Sequence, residues 1–233
     1  HEAADRLAPL SFPATIHPFV IPPFTSLKDV CDSLSGSRVI VGAQNMHWED
    51  SGAWTGEISP VMISECGAEL VEIGHSERRA YFGETDWTVN LKVHSALHHG
   101  LRPLVCIGDT AEEYSHDVTL ETLARQLKIA LHGVSEQNLP RVLIAYEPVW
   151  AIGAGGRPAD VPFIDKAHNH LRSVLINLAG LEAGSAVRLL YGGSVTQDNA
   201  ASYSRLQNVN GVFVGRAAWN VDHFHALAEG VVA

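Results

Sequence analysis

Residues 142–153 read Val142-Leu-Ile-Ala-Tyr-Glu-Pro-Val-Trp-Ala-Ile-Gly153. The first five are short, apolar and branched, which predicts a strand buried on both faces, as in a parallel sheet. Where that strand must end stands one carboxylate, Glu147. Pro148 then blocks both further strand and an immediate helix. A hydrophobic hinge follows, Val149-Trp150-Ala151, and after it a glycine-rich tip, Gly153-Ala-Gly-Gly156, closed by Pro158. An acid at a strand end, tied to a loop that can swing, has the layout of a base working beneath a lid. A surface glutamate in a turn is the plain alternative, and this stretch alone leaves the two even.

Outward from this strand the same grammar repeats. Apolar runs at Ala14–Ile21, Val39–Ala43, Ala68–Ile73, Arg102–Ile107, Val187–Tyr191 and Gly211–Val214 predict six more strands. Between them, helical spacing predicts helices over His1–Leu10, from a Ser26 cap to Leu34, Pro60–Cys66, Trp87–His98, Thr119–Gly133, Val161–Leu178, Asn199–Arg205 and Val221–Val232, with a long loop from Gln44 to Ser59. Strict alternation implies parallel strands joined by right-handed crossovers. No linker or shift of composition divides the chain, so residues 1–233 read as one domain. Seven strands with a leading helix leave a closed eight-fold barrel one strand short, and that strand is expected ahead of His1. A doubly wound open sheet is the alternative, although the first strand-to-helix turn lacks the dinucleotide fingerprint.

The balance of charge and residue types narrows the function classes. A net charge of −10 argues against nucleic acid or an anionic membrane as partner, but not against a small anion held at a local positive site. No run of 18 apolar residues is present to span a membrane, and no leader is visible. Three scattered cysteines, Cys31, Cys66 and Cys106, make no disulfide framework and fit a reducing cytoplasm. The 13 histidines lack zinc-ligand spacing, so no bound metal is expected.

In a barrel, function belongs to the loops at the carboxyl ends of the strands. Those loops carry Gly74-His75-Ser76-Glu77-Arg78-Arg79, then Glu147, then Gly192-Gly193-Ser194-Val195, then Gly215-Arg216. The last two are glycine-rich turns after successive final strands, ahead of short helices. Exposed backbone N–H groups in that position favour a phosphate.

These strings, together with Gly42–Asn45, Gly52–Glu57, Cys106–Thr110 and Tyr146–Gly153, resemble the triosephosphate isomerase family in order and over the chain from the second strand onward. The resemblance implies an α/β fold of the (β/α)8 TIM-barrel type, a homodimer, no cofactor and no metal. It implies that Glu147 is the general base and His75 the neutral electrophile of an aldose–ketose isomerase. Gly153, Ser194 and the Gly215–Arg216 turn would hold the substrate phosphate. Glu77 would be a buried acid behind the site, and Cys106 would lie near the base. The loop carrying Trp54 and Thr55 would insert into the partner subunit.

Three features depart from the family pattern. The family's opening strand carries an Asn-x-Lys pair whose lysine serves the phosphate, and nothing after His1 replaces it. The lid tip, Gly153-Ala-Gly-Gly-Arg-Pro-Ala159, lacks the usual threonine and lysine. Arg216 stands where a second glycine is usual. The last two resemble a branch that isomerises four-carbon ketose phosphates such as L-erythrulose 1-phosphate. The sequence thus predicts a cytoplasmic sugar-phosphate isomerase, with triose phosphate (glyceraldehyde 3-phosphate and dihydroxyacetone phosphate) as the default substrate and tetrulose phosphate as the alternative. A non-catalytic phosphate-binding dimeric barrel is the reading from another class.

Overall fold

A computed structural model describes residues 2–153 and 156–231. Its strands are β1 (Phe19–Val20), β2 (Ile40–Ala43), β3 (Leu70–Ile73), β4 (Arg102–Ile107), β5 (Leu143–Tyr146), β6 (Arg188–Tyr191) and β7 (Gly211–Val212). They form one sheet in chain order, every neighbouring pair parallel. The ladder runs Leu70↔Arg102, Leu104↔Leu143 and Leu143↔Arg188, so equivalent positions share a layer.

The side chains sort by the two-residue period of a strand. Leu70, Leu104, Cys106, Leu143, Ala145 and Leu190 form one inner cluster, joined by Phe19, Ile21, Ile40 and Phe213. Val71, Ile73, Val105, Ile107, Ile144, Tyr146, Leu189 and Tyr191 face the other way, into the larger core beneath the helices. The rings of Phe19 and Phe213, from the two ends of the strand order, stack 6.0 Å apart. The sheet is therefore curled until its ends meet through their side chains, which is the architecture of an α/β barrel.

The helices are α1 (Glu2–Leu7), α2 (Phe24–Ser33), α3 (Pro60–Glu65), α4 (Ser76–Tyr81), α5 (Asp86–His98), α6 (Ala111–Ser115), α7 (Thr119–Ala130), α8 (Val161–Ala186), α9 (Gln197–Ser204) and α10 (Val221–Gly230). Most lie where expected, and the exceptions have local causes. Helix α1 stops short of Leu10 because Ala8 precedes Pro9, and a residue before proline is driven out of the helical region. Strand β1 keeps only two of eight expected residues, since Pro18 at its start and Pro22-Pro23 after it donate no backbone hydrogen bonds. Helix α2 starts from Pro23, not Ser26. Helix α8 outruns its expected end across a break at Gly180, whose φ of 77° is left-handed. The short helix α4 falls in a stretch expected as loop, and α6 was not among the expected helices. His1 and Val232, at the outer ends of two expected helices, lie outside the described residues. None of the described helices is long and apolar enough to cross a membrane.

Candidate active site

The inward period of β5 puts Leu143, Ala145 and then Glu147 on the barrel's inner face. Glu147 is 5% exposed, and its Oε2 has no hydrogen-bond partner. Two glycines make room for it. A Cβ at Gly108 would stand 1.9 Å from the Glu147 carbonyl oxygen, and one at Gly192 would stand 2.7 Å from its Cγ. Burial pushes the Glu147 carboxyl well above the ordinary carboxylate range, with a further push from Glu72. It is a desolvated base with an unused lone pair.

His75 occupies the end of β3 as the N-cap of α4, its Nδ1 accepting the Glu77 backbone N–H at 3.3 Å. With Nδ1 accepting, the ring proton of a neutral imidazole sits on Nε2. Nε2 faces Glu147 Oε1 at 3.7 Å and Glu72 Oε1 at 4.0 Å. Burial pulls the His75 pKa below its ordinary value, so the ring is neutral at neutral pH; Glu77 and Glu84 pull the other way. Helix α4 thus explains what reads as loop in the sequence: its first turn holds the imidazole in one tautomer.

A hydrogen-bonded cage fixes that turn. Glu84 accepts from Gly74 N (2.9 Å), Arg78 Nε (2.7 Å) and Lys92 Nζ (3.0 Å), and Lys92 also donates to Asn45 Oδ1 (2.7 Å). These cations hold the Glu84 carboxyl below its usual range against the opposing effect of burial. Arg79 donates to the Gly74 and Cys106 carbonyls and to Asp86, which also pairs with Arg125. The Gly74–Arg79 string is therefore one histidine and a clamp that orients it.

The expected burial of Glu77 is not found. Its side chain is 73% exposed and lies 3.9 Å from His75 Nδ1. In the first turn of a surface helix its Cβ points outward, and the buried cations are already taken by Glu84. The buried acids here are Glu72 and Glu84. Glu72 sits inside the run Leu70-Val-Glu-Ile73, every residue of which is buried; the signal available was its two-residue spacing from Leu70 in the expected Ala68–Ile73 strand. Cys106 does lie near the base. Its thiol donates to Glu72 Oε1 at 3.6 Å and borders Glu147, and burial raises its pKa well above the ordinary value.

The hinge is a single 3-10 turn, Val149–Ala151. Fully buried Asp109 anchors it, accepting from Trp150 Nε1 (3.1 Å), Tyr146 Oη (3.0 Å) and Thr119 Oγ1 (2.7 Å). Gly153 is exposed beyond the hinge; Ala154 and Gly155 of the glycine-rich tip lie outside the described residues. Ser194, after β6, donates its hydroxyl hydrogen bond to the Ala151 carbonyl. Gly215 caps the 3-10 turn Arg216–Ala218, and both Gly215 and Arg216 are exposed. Trp54 is 47% exposed, with its inner face tilted against His47, and Thr55 beside it is exposed. Among the described residues no cluster of three His, Cys, Asp or Glu is arranged for a metal.

Comparison with known proteins bears on this geometry. The sequence profile described as triosephosphate isomerase matches residues 2–231. The chain is 48% identical over 224 residues to the L-erythrulose-1-phosphate isomerase of Mesorhizobium japonicum, covering 95% of this chain and 87% of that protein. It is 48% identical over 222 residues to the protein of the same name from Mycolicibacterium smegmatis, covering 95% and 82%. A third of that name, from Brucella abortus, is 47% identical over 210 residues, covering 90% and 80%.

Proposed function

The chain belongs to the triosephosphate isomerase family, as an isomerase of phosphorylated small sugars, and from that premise we propose that it isomerises a four-carbon ketose phosphate of the L-erythrulose 1-phosphate type. The observation that carries the chemistry is the facing pair, a neutral His75 Nε2–H and the Glu147 carboxylate 3.7 Å from it. The substrate choice is supported by relatives named L-erythrulose-1-phosphate isomerase at nearly half identity. Support for triose phosphate extends only to the family as a whole, so the default expectation gives way to its alternative.

L-Erythrulose 1-phosphate carries its ketone at C2 and a hydroxyl on C3. Glu147 takes the C3 proton, and the electrons form an enediolate across C2 and C3. His75 donates Nε2–H to the developing C2 oxyanion and recovers a proton from the C3 hydroxyl. Return of the proton from Glu147 to C2 leaves the ketone at C3, an isomeric tetrulose phosphate with no net change of atoms or electrons. A neutral imidazole suits this exchange because it can give and regain one proton. These are the roles long described for triosephosphate isomerase.

Gly153, Ser194, Gly215 and Arg216 are proposed to hold the phosphate, and lid closure would keep water from the enediolate. A homodimer is proposed on the family and on large apolar side chains left exposed, among them Trp54, Met62, Tyr81 and Phe82. A cytoplasmic setting is proposed on the three unpaired cysteines.

The test is kcat/KM for L-erythrulose 1-phosphate and for glyceraldehyde 3-phosphate with the full-length protein. Faster turnover of the tetrulose phosphate is expected. Faster triose turnover would restore triose phosphate as the substrate.

A further inference from the structure

We propose that Glu72 is the residue that recognises the terminal hydroxymethyl group of a tetrulose phosphate, and so separates it from a triose phosphate. The inference rests on the tetrulose reading above and deepens it.

The chemistry fixes where the distinguishing group must go. Dihydroxyacetone phosphate and L-erythrulose 1-phosphate share the phosphate, the next carbon and the ketone. They differ at the carbon that loses its proton, where one hydrogen of the triose becomes CH2OH. That group is bonded directly to the carbon facing Glu147 and His75. Whatever reads it must stand beside these two residues, on the side away from the phosphate turns.

Glu72 stands there. The period of β3 turns it inward with Leu70, its Cα opposite Leu104, one strand from Cys106. It is 8% exposed, and its Oε1 lies 4.0 Å from the same His75 Nε2 that faces Glu147. The cations of this region are bound elsewhere, Arg78 and Lys92 to Glu84 and Arg79 to Asp86. The hydrogen bond it does receive comes from the Cys106 thiol at 3.6 Å, a weak donor for a group with about four acceptor positions. The 11% of its side chain that stays open leaves a bound molecule room to supply a second partner.

Beside Glu72 the inner face of the strands carries an apolar cluster: Leu70, Leu104, Cys106, Leu143, Ala145 and Leu190, joined by Phe19, Ile21, Ile40 and Phe213. A hydroxyl brought into this layer without a partner would be penalised. Burial raises the Glu72 carboxyl to about 7, with smaller contributions from Glu77 and Glu84. Near neutrality a large share is therefore the uncharged acid. In that form it both accepts from and donates to a hydroxyl, and it adds no second negative charge beside the enediolate.

The test uses the full-length protein, Glu72→Val and Glu72→Gln, with L-erythrulose 1-phosphate, its 4-deoxy analogue (methyl in place of hydroxymethyl) and dihydroxyacetone phosphate. Glu72→Val should lower the tetrulose-to-triose ratio of kcat/KM by about 10–100-fold, the usual cost of a buried hydroxyl left without its partner. Glu72→Gln, which keeps an acceptor and a donor in nearly the same shape, should recover most of the ratio. Independently of any variant, the wild type should disfavour the 4-deoxy analogue by a similar factor, and Glu72→Val should be indifferent to it. Parallel loss on all three substrates, or a wild type blind to the missing hydroxyl, overturns the assignment while leaving the tetrulose reading intact. A wild type that does not turn over the tetrulose phosphate overturns both.

Discussion

The two sides of the barrel mouth are built on different principles. Around the ends of β3 and β4, His75 is held by a cage of buried ionic hydrogen bonds running through Glu84, Arg78, Lys92, Arg79 and Asp86. Around the ends of β5 to β7, Gly153, Gly215 and Arg216 are exposed, and a 3-10 hinge replaces regular structure. The contrast matches two demands. An electrophile must be in one tautomer and one place before substrate arrives, because reorganisation during the reaction raises the barrier. A phosphate grip must open to admit the substrate and close once it is bound.

The comparison breaks if disabling the chemistry leaves turnover intact. Glu147→Gln should reduce kcat about 10³-fold or more, as removal of a general base does, with little change in KM. Steady-state assay of the folded variant settles it, and a loss under tenfold would remove Glu147 from the role of base.

Next in size is the cage. Glu84→Ala leaves Lys92 and the Gly74 N–H buried without their acceptor, and should destabilise the fold by about 3–5 kcal/mol in urea unfolding. If that substitution costs no more than one in the phosphate turns, the β3 side is not the rigid half.

A subtler effect follows from the raised carboxyl of Glu147. Its folded pKa lies above the unfolded value of about 4.3. Between the two, the folded state keeps a proton that the unfolded chain releases, so stability falls as pH rises through that window. Glu147→Gln escapes this loss. Its advantage over wild type should be small near pH 4 and grow as pH rises above that in denaturation curves; a difference independent of pH would contradict a buried, destabilised base.

The smallest change sharpens the exposed half. Arg216→Ala should raise KM about tenfold, with kcat nearly unchanged, because a solvent-facing cation serves binding in ground and transition states alike. A fall in kcat instead would move Arg216 from the grip into the chemistry.

The parallel strands and the meeting of Glu147 with His75 were readable in the chain because each leaves a local mark: a buried apolar run, or a polar residue where such a run stops. What escaped was set by contacts distant in sequence. Helix α4 is too short for a period, and its start depends on an imidazole acting as cap. Whether Glu77 or Glu84 is the buried acid depends on which reaches Lys92, and spacing alone does not tell them apart. Glu72 is one of two glutamates in the expected Ala68–Ile73 strand, and its meaning needed the neighbouring strands to place it beside Cys106 and His75.

The bond from the Ser194 hydroxyl to the Ala151 carbonyl joins the turn proposed to hold the phosphate to the root of the proposed lid. Two elements that share a bond share an equilibrium. Whatever free energy the closed lid adds to anion affinity, a bound anion must return to lid closure in equal measure, since linkage is reciprocal. Inorganic phosphate alone, carrying no reacting carbon, would then draw the lid shut over an empty chemical half. The inhibition it produces would measure how much of the closing energy the phosphate carries, apart from the sugar.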